Sequence, residues 1–178
     1  LYVKDLTIAH VRAWGWRFVD ELCWCKTPYP GDFDGRFKNG FEPVFHFARA
    51  PVKWRVENVE MESSGSMGVT WAPLDKTQGM GLASSGTAFS MARPSNVLRL
   101  SGTDALGHSA AFPVGLPEFF IKAFSDAGDV IVDPFLGSGS TLIASAKNAR
   151  ECRGFEISPR YCDVIRRRWT KFARSAGV

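Results

Sequence analysis

Two carboxylates and a pair of glycines define the chemistry this sequence could perform. Asp133 closes the apolar run Val130-Ile131-Val132, and Gly137 and Gly139 follow with one residue between them. Ser140 and Thr141 come next, and Glu156 stands about twenty residues beyond the glycines. A glycine turn of this kind lets a small ligand lie against bare backbone N–H groups at the start of a helix. A carboxylate at that distance is where nucleotide-binding βαβ units hold ribose hydroxyls. The same residues also fit an ordinary βαβ unit with an acid at the strand end, because one Gly-x-Gly is a weak signal.

The elements that must position these residues are readable locally. Val130-Ile131-Val132 predicts a buried strand, and residues 140–149 carry good helix formers. A second short apolar strand over 152–155 leads to Glu156. Ser158 is a natural N-cap and Pro159 a natural first helical residue. Tyr161, Val164, Ile165, Trp169 and Phe172 then repeat at helical spacing, and Arg166-Arg167-Arg168 reads as a solvated face. A nicotinamide-type fingerprint fits badly: its third small position falls on Leu142, and the unit ends the chain where such domains usually begin.

Upstream, Leu6, Ile8, Val11 and Trp14 have a helix-like spacing that Gly15 would end. Residues 18–26 and 41–47 read as strands, and the turn-rich loop of residues 27–35 between them predicts an antiparallel pair. Residues 51–107 are rich in Gly, Ser, Met and Thr with weak apolar periodicity, which predicts a loop-rich, mobile segment. Pro117 and Glu118 suit the first turn of a helix over 116–124, with Phe120, Ala123 and Phe124 on one face and Gly128 as the stop.

Four stretches, taken together, resemble one family. Asp133-Pro134-Phe135-Leu136-Gly137-Ser138-Gly139-Ser140-Thr141 resembles the S-adenosylmethionine-binding motif of amino-group DNA methyltransferases, which methylate adenine N6 or cytosine N4. His108-Ser109-Ala110-Ala111-Phe112-Pro113 with Leu116 resembles the segment preceding that motif in the permuted β class. Gly154-Phe155-Glu156-Ile157 with Tyr161 resembles the acidic motif that follows it. Trp24-x-Lys26 and Arg36-Phe37-x-Asn39-x-x-Glu42 resemble the loop beside the target-base pocket.

The resemblance implies an α/β, Rossmann-like methyltransferase fold in permuted order with a loop-rich inserted segment. Residues 1–50 would form the N-terminal part of the core, 51–107 the target-recognition insert, and 108–178 the cofactor-binding part. Trp54, Arg55, Trp71, Lys76, Arg93 and Arg99 are the insert's candidates for DNA contact. For the cofactor, Asp133 suits the amino group, and the turn with Ser140 and Thr141 suits the carboxylate. Glu156 suits the ribose diol, Ile157 could cover the adenine face, and Phe112 and Pro113 could close the opposite side. His108, Phe135, Gly137 and Gly139 complete the expected set.

Methyl transfer to a base amine also needs polar acceptors around the flipped base, which the family supplies through Asp, Ser or Asn, then Pro-Pro, then an aromatic residue. No such tetrad occurs, so no catalytic residue is assigned. Thr27-Pro28-Tyr29-Pro30 lacks the second proline before its tyrosine. In the permuted order the tetrad belongs upstream of Leu1, and the chain is expected to be a fragment.

Composition agrees with a soluble globular protein: 178 residues, 45% apolar, 22% charged, net charge +4. Residues 51–107 balance five basic against five acidic residues, and residues 108–178 carry ten against seven. No apolar run is long enough for a bilayer, no signal peptide opens the chain, and three histidines with no Cys-x-x-Cys leave no zinc spacing. Cys23, Cys25, Cys152 and Cys162 read as buried reduced thiols. The expected protein is a cytoplasmic, bacterial or phage-encoded DNA methyltransferase, with double-stranded DNA and a second copy of itself as partners. An inactive adenosylmethionine- or DNA-binding module is the alternative.

Overall fold

A computed structural model describes residues 2–25, 34–35, 37–59, 61–62, 91–92, 94–100 and 112–177. Thr27-Pro28-Tyr29-Pro30, Lys26, Arg36, most of the Gly/Ser/Met-rich stretch and His108 lie outside the described residues.

Helix α1 (Tyr2–Arg12) ends in a turn through Gly15 at φ +68°, a left-handed conformation that costs glycine nothing. Its apolar spacing does not bury it: Tyr2, Val3, Ile8 and Val11 are exposed. Strands β1 (Arg17–Cys25) and β2 (Phe41–Ala48) form the antiparallel pair the long loop predicts, from Cys25 opposite Phe41 to Arg17 opposite Ala48. Alternation along β1 puts Leu22 and Trp24 on one buried face.

A 3-10 turn at Val56–Asn58 follows, then the short antiparallel pair β3 (Met61–Glu62) and β4 (Met91–Ala92). Strand β5 (Val97–Arg99) lies parallel to β1, giving the sheet order β2-β1-β5. The end of the 51–107 stretch is thus part of a sheet, and its Leu98 is buried there.

Helix α2 (Gly115–Phe124) covers that sheet. Leu116 joins Leu22, Trp24 and Leu98 in one core cluster, ringed by Val44, Leu100, Phe112, Phe119 and Phe120. Each fully buried side chain of this kind contributes about 1.5–3 kcal/mol, against at most about 1 kcal/mol for an exposed ion pair such as Arg153–Glu151. The apolar cluster, not surface charge, therefore holds α2 on the sheet. The end of α2 is also stapled to residues 55–58. Arg55 N–H donates to Ala123 O at 2.9 Å, Asn58 Nδ2 donates to Lys122 O at 3.2 Å, and the Arg55 guanidinium pairs with Asp126. The helix stops at Ser125, before Gly128; the latter turns the chain into the next strand at φ +87°.

The predicted βαβ unit is present. Strand β6 (Val130–Asp133) runs parallel to β7 (Glu151–Gly154), with Asp133 opposite Gly154, and α3 (Ser140–Lys147) connects them. Helix α3 is two residues shorter than the 140–149 expectation, because Ala149 turns out at φ +56°. One expectation is overturned: β6 is not buried. Val130 and Val132 are 45% and 61% exposed. They share one face of the strand, which is exposed, and among the described residues β6 pairs with β7 alone, leaving its other edge unpaired within that set. Helix α4 (Pro159–Ala176) closes the chain with Pro159 in its first turn. Ser158 sits at the N-cap without a side-chain capping bond. The four cysteines are free and half-buried rather than buried. No described helix is long and apolar enough to cross a membrane.

Candidate functional site

Parallel strands end together, so β6 and β7 deliver Asp133 and the 154–156 segment to one edge. The turn after β6 is docked onto the segment after β7. Phe155 N–H donates to Asp133 O at 2.9 Å, and Leu136 N–H donates to Phe155 O at 2.8 Å. Leu136 is buried directly over Gly154, where a Cβ would stand 2.5 Å from Leu136 Cδ2. Only glycine admits this approach. The turn itself passes through Gly137 at φ +56° and Gly139 at φ +86°. Among the described residues a Cβ on Gly137 would meet nothing nearer than Phe135 O at 3.8 Å, which leaves open space above it within that set.

The two carboxylates are held in different ways. Asp133 is half-buried, and its Oδ1 accepts the Phe135 N–H at 2.9 Å. Its Oδ2 takes no hydrogen bond from the described residues. Glu156 is clamped: Oε2 accepts Gly137 N–H and Oε1 accepts Ser158 N–H, both at 2.8 Å. Each of its oxygens keeps a second acceptor direction. Behind the strands, burial raises the Cys152 thiol pKa, opposed by a Ser145 hydrogen bond and reinforced by the Asp133 charge.

The hydroxyls of the turn do not face outward as expected. Ser140 is buried, and its Oγ donates to Phe112 O at 3.0 Å; Thr141 is also buried. The donors that this end offers are therefore backbone N–H groups of the turn and the first turn of α3. Phe112 packs its ring against the core cluster, and Pro113 is buried beside it. Phe135 and Ile157 are 85% and 98% exposed, so both flank the turn with apolar surface turned to solvent.

One residue of the site was misjudged from sequence. Arg168 is not on the solvated face of α4. Its Nη1 donates to Ser138 O and Ser138 Oγ, both at 2.8 Å, and to Ser140 Oγ at 3.3 Å. The signal was present in the spacing, since Arg168 lies three residues after Ile165 and four before Phe172, on the inward stripe. Arg166 and Arg167 do lie outside it and are exposed.

Of the candidates for DNA contact, Arg55 is committed to Asp126, while Trp54 and Arg99 are exposed. Trp71, Lys76 and Arg93 lie outside the described residues. Among the described residues no cluster of His, Cys, Asp or Glu could hold a metal ion.

Comparison with known proteins follows the same lines. The sequence model of one family, described as DNA methylase of the N6/N4 type, matches residues 3–167. The chain is similar to the type II beta methyltransferase M.BslI of Bacillus sp. (strain NEB-606), with 39% identity over 173 residues, 91% of this chain and 17% of that protein. It is 41% identical over 85 residues to the orphan methyltransferase M.BamHII of Bacillus amyloliquefaciens, covering 47% of this chain and 32% of that one. It spans about a third or less of the length of these curated relatives. Among solved structures, the PvuII cytosine-N4-specific DNA methyltransferase superposes with a TM-score of 0.69 at 22% identity, over 94% of this chain and 56% of that one. The M1.HpyAVI–SAM complex superposes at 0.60 and 21% identity, over 95% and 71%. Both share the Rossmann-like fold.

Proposed function

This chain belongs to the N6/N4 DNA methylase family, and from that membership we propose that it binds S-adenosylmethionine at the carboxyl ends of β6 and β7. The methyl group is destined for an exocyclic amine of DNA, adenine N6 or cytosine N4. The part of residues 51–107 that lies between the 3-10 turn at Val56–Asn58 and strand β5 serves as the target-recognition insert, and double-stranded DNA is the partner.

The observation that carries this reading is the clamped Glu156. Two backbone N–H bonds fix its carboxylate beside the open space over Gly137. A carboxylate so held is preorganised to accept a vicinal diol without losing side-chain entropy on binding. The Oδ2 of Asp133, unbonded among the described residues, suits a ligand ammonium, and the backbone N–H groups at the α3 end suit a ligand carboxylate. Ile157 and Phe135 offer exposed apolar surface for a flat base. A diol, an ammonium, a carboxylate and a purine are the recognisable parts of adenosylmethionine, so the donor set fits it. When bound, that molecule supplies an electrophilic methyl group on a sulfonium. The chain's residues orient it; no Pro-Pro pair occurs in the 178 residues to hold a target amine opposite it.

That last observation favours a second reading, in which this chain by itself is a binding module without turnover. Calorimetry with adenosylmethionine and its demethylated product tests the shared premise. Glu156→Ala and Asp133→Ala are expected to weaken binding about 10- to 100-fold, the worth of a charged hydrogen bond. Unchanged affinity in both would remove the site from this position.

A further inference from the structure

We propose that Arg168 is a positioning residue for the methyl-donor site, a latch from the last helix that sets the shape of the glycine turn. The inference rests on the adenosylmethionine reading for its functional consequence, and on geometry alone for the latch.

One guanidinium nitrogen of Arg168 holds the Ser138 carbonyl, the Ser138 hydroxyl and the Ser140 hydroxyl. Ser138 is buried, and among the described residues its carbonyl accepts only from Arg168. Ser140 passes the restraint on, because its Oγ donates to Phe112 O at 3.0 Å. Arg168 thereby ties α4, the turn and the segment before α2 into one connected set. Three residues earlier on the same helix face, Ile165 fills the place where Gly139 has no Cβ, with Cγ1 3.3 Å from that position. Helix α4 thus presents an apolar contact and a cationic donor to the same turn.

The consequence is specific. Without Arg168 a buried carbonyl loses its partner, and the turn must move to find another. Gly137 N–H, which clamps Glu156, lies one residue from Ser138. A shift of the turn therefore reaches the carboxylate expected to take the ribose. Lysine is a poor replacement, because its ammonium rides on a flexible stem that must be ordered to reach these oxygens, whereas the planar guanidinium is preorganised.

The experiment uses amide hydrogen exchange and calorimetry on Arg168→Met, Arg168→Lys, Ser138→Ala and the exposed-neighbour control Arg167→Met. Exchange at residues 138–141 without ligand is expected to accelerate about 10- to 100-fold in both Arg168 variants and to stay unchanged in the control. The dissociation constant for adenosylmethionine is expected to rise by a similar factor, and lysine is expected not to rescue it. Adding Ser138→Ala to Arg168→Met should weaken binding no further, since without Arg168 the Ser138 hydroxyl has already lost the donor through which it acts. If Arg168→Met does not fold, Arg168→Lys and Ser138→Ala decide the matter. Exchange within two-fold of the parent in a folded Arg168 variant would overturn the latch. A parent chain that binds no donor would overturn the function instead, and exchange alone would still decide the role of Arg168.

Discussion

Replacing Gly154 by alanine adds one methyl group where the turn and β7 touch. That Cβ would stand 2.5 Å from Leu136 Cδ2, 2.9 Å from Cδ1 and 3.0 Å from Cγ. Ordinary carbon–carbon contact is about 3.5–4.0 Å, so Leu136 must retreat by about 1 Å. It has little room, being 8% exposed. Its N–H is bonded to Phe155 O at 2.8 Å, so the backbone of the turn moves with it. Overpacking of this size costs about 1–3 kcal/mol. At about 2–4 °C per kcal/mol for a chain of this length, the thermal midpoint should fall by several degrees. Because Gly137 follows Leu136, donor affinity should fall as well, by more than the stability loss alone would cause. Differential scanning calorimetry reads the first effect and ligand titration the second. The double variant Gly154→Ala/Leu136→Ala separates clash from other causes: Leu136→Ala alone should cost about 2–5 kcal/mol, and the pair should cost clearly less than the sum. A Gly154→Ala protein with parental midpoint and parental donor affinity would falsify the packing argument.

Three further outcomes are expected. Gly137→Val should lose donor binding while costing only about 1–2 kcal/mol of stability, because φ is +56° and, among the described residues, the nearest non-neighbouring atom to its Cβ is Phe135 O at 3.8 Å; equal binding, measured by calorimetry, would show that nothing approaches that backbone. This chain alone should give no tritiated methyl transfer to mixed-sequence duplex DNA, since its sequence holds no Asp/Ser/Asn-Pro-Pro-aromatic tetrad; turnover that disappears on Tyr29→Ala would place the catalytic group at Thr27-Pro28-Tyr29-Pro30 after all. Stability should fall on acidification: burial raises the Glu118 pKa, but the hydrogen bonds from Lys147 and Lys122 outweigh it, and Arg55 lowers that of Asp126. Both folded values lie below the unfolded ones, so this stability is present above about pH 4.5 and is lost as pH falls through the folded values; denaturation midpoints of Glu118→Gln should show a shallower acid slope.

What the sequence determined by itself was local. A run of β-branched residues closed by Asp133, glycines at 137 and 139, and helix formers from Ser140 specify strand, turn and helix, because each depends on near-neighbour sterics and backbone hydrogen bonds. The long loop between residues 25 and 41 was enough to predict the antiparallel pairing of β1 and β2. Tertiary structure decided what depends on distant partners. That β5 joins β1 in parallel, and that Leu98 enters the core, follows from contacts more than seventy residues apart. The exposure of Val130 and Val132 depends on what lies beside β6, which the composition of the strand does not encode. The hydroxyl of Ser140 looked available to a ligand until Phe112, distant in sequence, took its proton donor. Arg168 sat among three arginines that composition cannot tell apart; the rotational phase of α4 against the turn sends one inward and leaves its neighbours in water.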